Sequence, residues 1–153
     1  MILRAILIGG LLAGALDLLD AFIFSYLRSG AMPIRILHAI AGGLVGREAA
    51  TSGGAATAAL GVVIHFCIAT TMAAFYVALS GWWSVFVRHA VVMGILYGVG
   101  AYFVMQYVVL PLSAIRGGGG APWPAFINGV LIHAFGVGLP IALVTRQVLG
   151  ERR

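Results

Sequence analysis

Lysine is absent from this sequence, and charged residues of every kind are scarce. Charged residues make up 8% of the 153 positions, whereas 62% are hydrophobic and the mean hydropathy is +1.10. A soluble domain of this length needs charge over its surface to stay dispersed. The scarcity of charge therefore excludes an ordinary soluble domain and predicts a protein whose solvent is the lipid bilayer.

The nine basic residues are all arginine, and they are scattered along the chain. Their excess over the four acids gives a net charge of +5, which by itself would attract a polyanion. The arginines form no stripe or cluster, so the sequence predicts no nucleic-acid partner. Arginines at the ends of membrane spans instead contact lipid headgroups, and the lipid bilayer is the predicted partner.

A single cysteine, Cys67, lies within an apolar run, which excludes an intrachain disulfide and a CxxC metal or redox motif. The nucleophile motif GxSxG and the zinc motif HExxH are both missing from the sequence. The glycine run at 117–120 is not followed by the lysine of a phosphate-binding loop. These absences predict that the protein is not an enzyme, and we expect no bound cofactor.

Four apolar stretches are long enough to cross a hydrocarbon core of about 30 Å at about 1.5 Å per residue. Together with their loops they occupy the whole chain, so residues 1–153 are predicted to form a single integral membrane domain. The predicted fold class is an all-α membrane protein with four transmembrane helices in a bundle. The spans are expected at about residues 2–27, 53–79, 85–110 and 124–148.

The segment at about residues 33–50 is too short and too polar to cross the membrane. Pro33 is favourable in the first turn of a helix, and polar or small residues, among them Arg35 and His38, recur near helical spacing. This stripe predicts one short helix that lies in the membrane interface. A re-entrant hairpin broken at Gly42-Gly43 is the alternative.

The distribution of arginine predicts the orientation in the membrane, with side A defined as the side of the first residues and side B as the opposite side. On side A the sequence places Arg4, Arg88, Arg146, Arg152 and Arg153. On side B it places Arg28, Arg35, Arg47 and Arg116. Cytoplasmic loops carry the excess of positive charge, so both termini are predicted in the cytoplasm. The predicted location is the cytoplasmic (inner) membrane of a prokaryote.

Several polar residues fall inside the predicted spans, where an aspartate at the helix centre costs roughly 2.5–3.5 kcal/mol and usually faces other helices or a wet cavity. Helix rise places Asp17, His65 and His133 at about 14–18 Å from side B. At roughly 6–11 Å by the same rise lie Asp20, Gln106 and Asn128. The sequence therefore predicts a polar pocket that opens to side B, with Arg35 and His38 of the short helix as its roof.

Two interpretations of this pocket are open at the level of sequence. Contacts between a carboxylate and an imidazole can fix helix packing without any further function. The same pair in a wet pocket can carry a proton, or bind an ion or a small polar solute. The leading hypothesis is a membrane protein that binds or conducts such a species.

A haem or metal carrier is the third hypothesis, and it depends on two histidines. His65 and His133 have matching depth on two helices, as axial ligands of one haem would have. The Glu-x-x-His pattern of di-iron bundles is missing from the sequence.

Glycine spacing predicts how the helices associate. Burial of apolar side chains does not drive association in a bilayer, because lipid is equally apolar, whereas small residues let helix backbones approach closely. Gly10 and Gly14 lie four residues apart in the first span, and Gly94 and Gly98 do so in the third. Such faces pack within one bundle, against a second copy, or against a larger membrane complex. The second function hypothesis is accordingly a structural accessory or assembly subunit.

Several short stretches together resemble those of one family. They are AGALDLLDA at 13–21, PIRIL at 33–37, VVLPLSA at 108–114, and Asn128-Gly129 followed by His133 and by GLP at 138–140. On these residues most of the chain resembles a group of small bacterial integral membrane proteins, broadly of the YagU type. The resemblance implies a membrane protein, and it assigns no ligand, cofactor or catalytic role to any position.

Overall fold

The computed structural model describes residues 1–117 and 120–150, and every regular element within those ranges is a helix. The helices are α1 (Ile2–Ser29), α2 (Pro33–Val45), α3 (Arg47–Ser52), α4 (Gly54–Trp82), α5 (Val85–Arg88), α6 (Ala90–Leu112) and α7 (Trp123–Gly150). Of these, α1, α4, α6 and α7 are long and apolar enough to cross a membrane. The predicted fold class is confirmed, and the chain is a multi-pass membrane protein. Arg152 and Arg153, used in the orientation prediction, lie outside the described residues.

Two glycines with positive φ set the ends of α1 and α2. Gly30 has φ 68° and its N–H bonds the Tyr26 carbonyl, a left-handed helix end that glycine adopts without steric cost. Helix α2 begins at Pro33 and ends before Gly46, which has φ 86°. Because α2 continues without interruption through Gly42-Gly43, the hairpin broken at those residues is wrong as an alternative.

The four long helices alternate in direction, and each packs mainly on particular neighbours. Helix α1 packs against α4 on one flank and against α7 on the other, while α7 packs against α6. Helix α2 packs against α4. The spatial order α4–α1–α7–α6 therefore brings α4 and α6 to the two ends of one row.

Glycines line two of these packed interfaces. Gly10 and Gly14 of α1 lie against α4, and Gly94 and Gly98 of α6 lie against α7. A Cβ built on Gly10 would sit 2.6 Å from the Cα of Thr70, closer than real side chains approach. All four glycines thus allow helices of the same chain to approach closely.

The packed core lies in the half of the bundle nearer to side A. Tyr76 and Ile141 are its largest apolar members, and Ala13, Ala73 and Ala142 fill the space around them. The Tyr76 hydroxyl donates to the Phe86 carbonyl at 3.0 Å, so this buried polar atom is satisfied. Tight packing of these side chains seals side A from the middle of the bundle.

Helices α6 and α7 each contain a π-helical segment, Met105–Val109 in one and Ile132–Gly138 in the other. Each segment ends two residues before a proline, Pro111 or Pro140. Proline lacks an N–H and clashes with the carbonyl four residues earlier, and a wider π turn accommodates both effects. The sequence predicted that the third span would stop at Pro111, whereas the helix continues through it to Leu112.

Candidate functional site

A cavity of about 450 Å³, which we call the central cavity, lies between the four long helices and α2. Most of its lining side chains are apolar. The polar ones are Asp17, His65, Tyr102, Gln106, Ser113 and His133. A mostly apolar wall with a few convergent polar groups, at this volume, is typical of small-molecule sites.

The carboxylate of Asp17 lies between two imidazoles. Its Oδ2 is 3.9 Å from His65 Nε2, and its Oδ1 is 3.8 Å from His133 Nδ1. Both distances exceed the range of a hydrogen bond, and within residues 1–117 and 120–150 the carboxylate accepts none. The structure therefore brings the three mid-membrane residues together while leaving the Asp17 oxygens accessible to the cavity.

Both histidines are oriented by backbone carbonyls rather than by Asp17. His65 Nε2 donates to the Gly14 carbonyl at 2.9 Å, and His133 Nδ1 donates to the Gly129 carbonyl at 3.0 Å. A carbonyl oxygen can only accept, so each of these ring nitrogens carries a hydrogen. The N–H groups that face Asp17 are thus already engaged by carbonyl oxygens, and neither ring forms a hydrogen bond with the carboxylate.

Aromatic rings hold the imidazoles in place from the side. The ring of Tyr102 meets His133 edge to face at 5.5 Å, and Phe66 meets His65 in the same way at 5.6 Å. Tyr102 lines the central cavity but was not among the residues predicted to form the pocket. Its position four residues before Gln106, on the same helix face, is the signal that could have found it.

Asp20 and Asn128 pair with each other outside the cavity. The Asn128 amide donates to Asp20 Oδ2 at 2.7 Å and so links α1 to α7. Neither residue lines the central cavity, whereas Gln106, predicted at similar depth, does. The six polar residues predicted to gather in one pocket therefore divide into a cavity set and a separate hydrogen-bonded pair.

The prediction that Arg35 and His38 roof the pocket is corrected by the structure. They line a different cavity of about 420 Å³ together with Arg47 of α3, and His38 Nε2 hydrogen-bonds the Gly54 carbonyl at 2.9 Å. Helix α2 does cover the central cavity, but it does so with its apolar face, which includes Ile36 and Ile40. Apolar side chains face the cavity here because the opposite face of α2 carries the charge.

The geometry around Asp17 gives no support to a haem or metal site. Among the described residues, no group of three or more His, Cys, Asp or Glu side chains is arranged to hold a metal ion. The Asp17 carboxylate also lies between His65 and His133, in the space that an iron bound by both histidines would have to occupy.

Comparison of the chain with protein-family models, with curated proteins and with solved structures gave no match. The resemblance to the YagU type stays a prediction from the sequence. The function therefore has to be inferred from the residues that form the central cavity.

Proposed function

We propose that this membrane protein binds a small cation, either a proton or a cationic solute, at the Asp17 carboxylate in the central cavity. The observation that carries this proposal is the carboxylate between His65 and His133, with its oxygens open to the cavity and outside hydrogen-bonding distance of both rings. A carboxylate placed within a span faces a partner or water, because hydrocarbon does not solvate its charge.

The charge of the cavity wall supports a cation over an anion. Among the residues that the structure describes, Asp17 is the one acidic residue in the lining, and no arginine lines the cavity. The histidine N–H groups nearest Asp17 are bonded to carbonyls, so these donors are not free to bind an anion there. Opposite charges attract more strongly in a wall of low dielectric constant than in water.

The shape of the bundle supports a binding site rather than an open channel. The packed core around Tyr76 and Ile141 closes the side-A end, and α2 covers the side-B end. Passage of the cation across the membrane would therefore require these elements to move.

The glycine faces give no support to the alternative of an accessory or assembly subunit. Gly10, Gly14, Gly94 and Gly98 all face helices of the same chain. An interface with another protein would have to use other residues.

We also propose the cytoplasmic membrane of a prokaryote as the location, with side A in the cytoplasm. Among the described arginines Arg4, Arg88 and Arg146 belong to side A, and the argument from charge includes Arg152 and Arg153 beyond them. We expect a C-terminal green fluorescent protein fusion expressed in bacteria to fluoresce and a C-terminal alkaline phosphatase fusion to be inactive. An active phosphatase fusion without fluorescence would reverse the orientation.

Asp17→Asn should strongly weaken cation binding. With ethylammonium as the probe, isothermal titration of the protein in nanodiscs should show binding weakened by about 30-fold or more, because losing one partner of a buried charge pair costs about 2 kcal/mol or more. Asparagine has nearly the same size as aspartate, so the packing of the bundle should be retained.

Asp20→Asn is the matched control. It removes a carboxylate three residues away on the same helix, and its amide oxygen can still accept from Asn128. We expect ethylammonium binding unchanged within about threefold, since Asp20 is outside the cavity lining. Equal binding by the wild type and the Asp17 variant would rule out the proposal for cationic solutes.

A further inference from the structure

A second cavity, of about 680 Å³, lies between α4 and α6, and we call it the lateral groove. Within the described part of the chain, its lining residues all belong to these two helices. At its edge, Phe75 is 64% exposed and Val104 is 52% exposed. Since both helices are membrane spans, these side chains face lipid chains, and the groove opens sideways into the bilayer.

The lateral groove and the central cavity share one wall. Ile68 and Met72 of α4 and Met105 and Val109 of α6 line both spaces. Helix α4 packs mainly on α1 and α2, and α6 packs mainly on α7, so helix packing does not close this side. The barrier between lipid and cavity is a single layer of side chains, and two of them are methionines, which are unbranched and flexible.

The polar groups along the groove are satisfied. Thr71 Oγ1 donates to the Cys67 carbonyl at 2.8 Å, and the Tyr97 hydroxyl donates to the Met72 carbonyl at 2.7 Å. The groove thus suits an apolar chain. A carboxylate that can hold a charged group, Asp17, lies on the far side of the shared wall.

We propose that the ligand is an amphiphilic amine, which partitions into the bilayer, enters through the lateral groove past Met72 and Met105, and places its ammonium group at Asp17. This inference rests on the proposed binding of a cation at Asp17. The apolar body of such a molecule matches the mostly apolar wall of the central cavity. The route follows from the bundle, because the core seals side A and α2 covers side B.

The test compares hexylammonium with ethylammonium, which carry the same charged group on apolar chains of different length. Binding to the protein in nanodiscs is followed by surface plasmon resonance, with empty nanodiscs subtracted to remove partitioning into lipid. We expect hexylammonium to bind at least about tenfold tighter, because each buried methylene contributes about fourfold. Asp17→Asn should weaken the binding of both amines by about 30-fold or more.

The route is tested by filling the groove. Gly100 lines the groove, and a Cβ there meets no atom of the described residues within 4 Å. Gly100→Trp therefore places an indole in the groove without a clash at its base. We expect association and dissociation of hexylammonium to slow together by about tenfold while the Kd changes little, which is the signature of a blocked path. Leu131→Trp on exposed α7 surface is the control and should leave both rates unchanged.

Alkylation of Cys67 with N-ethylmaleimide gives the same block on the folded wild type. Its side chain is exposed and lines the groove, so the adduct should also slow both rates without any substitution.

Each part of the proposal has its own contrary result. Unchanged rates in Gly100→Trp and in the alkylated protein, with Asp17-dependent binding intact, would overturn the lateral route and leave a groove that holds only lipid. Equal affinity for the two amines would overturn the amphiphilic class. No Asp17-dependent binding of either amine would overturn both this inference and the proposed function for cationic solutes.

Discussion

Gly98→Ala should destabilise the protein by about 3 kcal/mol, at the upper end of the range for an overpacked interior. A methyl group on Gly98 would overlap the carbonyl of His133 and lie 2.8 Å from the Cα of Ala134. Those atoms are backbone, so they cannot move aside as a flexible side chain would. The free energy of unfolding, measured by titration with sodium dodecyl sulfate in mixed micelles, should fall accordingly.

Gly100→Ala is the matched control and should act in the opposite direction. A Cβ on Gly100 meets no atom within 4 Å in residues 1–117 and 120–150, and alanine stabilises a helix interior by about 1 kcal/mol relative to glycine. Loss of stability in both variants would show that any glycine in α6 is needed for reasons other than contact with α7. Equal stability of Gly98→Ala and wild type would contradict the close packing of α6 on α7.

Gly61→Ala should displace α2 from the bundle. A methyl group on Gly61 of α4 would overlap the carbonyl of Leu37, which belongs to α2. We expect amide hydrogen exchange over 33–45 to accelerate by about tenfold or more, since a loosened element exchanges by local opening. Exchange in α4 itself should change little.

Gly43→Ala is the control for Gly61→Ala, because it makes the same substitution at a glycine with room for a methyl group. Its Cβ would lie 3.8 Å from the Cβ of Ser113, an ordinary contact, so exchange in α2 should stay close to that of the wild type. If Gly61→Ala also leaves the exchange unchanged, the cover that α2 provides over the central cavity does not depend on contact with Gly61.

The sequence predicted the depth of the polar residues better than the direction they face. Helix rise depends on position along the chain alone, and it placed Asp17, His65 and His133 at one level, where the structure brings them together. The direction a residue faces depends on tertiary packing. Asp20 lies three residues after Asp17, yet it turns to Asn128 instead of the cavity.

Hydrophobic periodicity could not predict which way these side chains face. In a soluble helix the polar face marks the solvent, but in a membrane the lipid-facing and core-facing sides are both apolar. For the same reason, the sequence did not predict that Met72 and Met105 line the central cavity. In α2, where one side does meet polar surroundings, the stripe of Arg35 and His38 predicted the helix correctly but not which face covers the cavity.

The sequence did not predict the π-helical segments, for a different reason. Proline indicates a kink or an end, and the sequence does not decide between those outcomes and a wider turn. The choice matters here, because His133 lies within one segment and Gln106 within the other, and both side chains reach the cavity.

In the order α4–α1–α7–α6, the two end helices α4 and α6 pack on each other less than neighbouring helices do. Within the described chain, a single hydrogen bond joins α4 to α6, from the Tyr97 hydroxyl to the Met72 carbonyl. Separating α4 from α6 would break that bond, at about 1 kcal/mol, and the edge-to-face contact between Tyr76 and Tyr97 at 5.1 Å. Separating α6 from α7 would lose the close backbone contacts at Gly94 and Gly98. We therefore expect α4 and α6 to separate from each other more readily than α6 separates from α7.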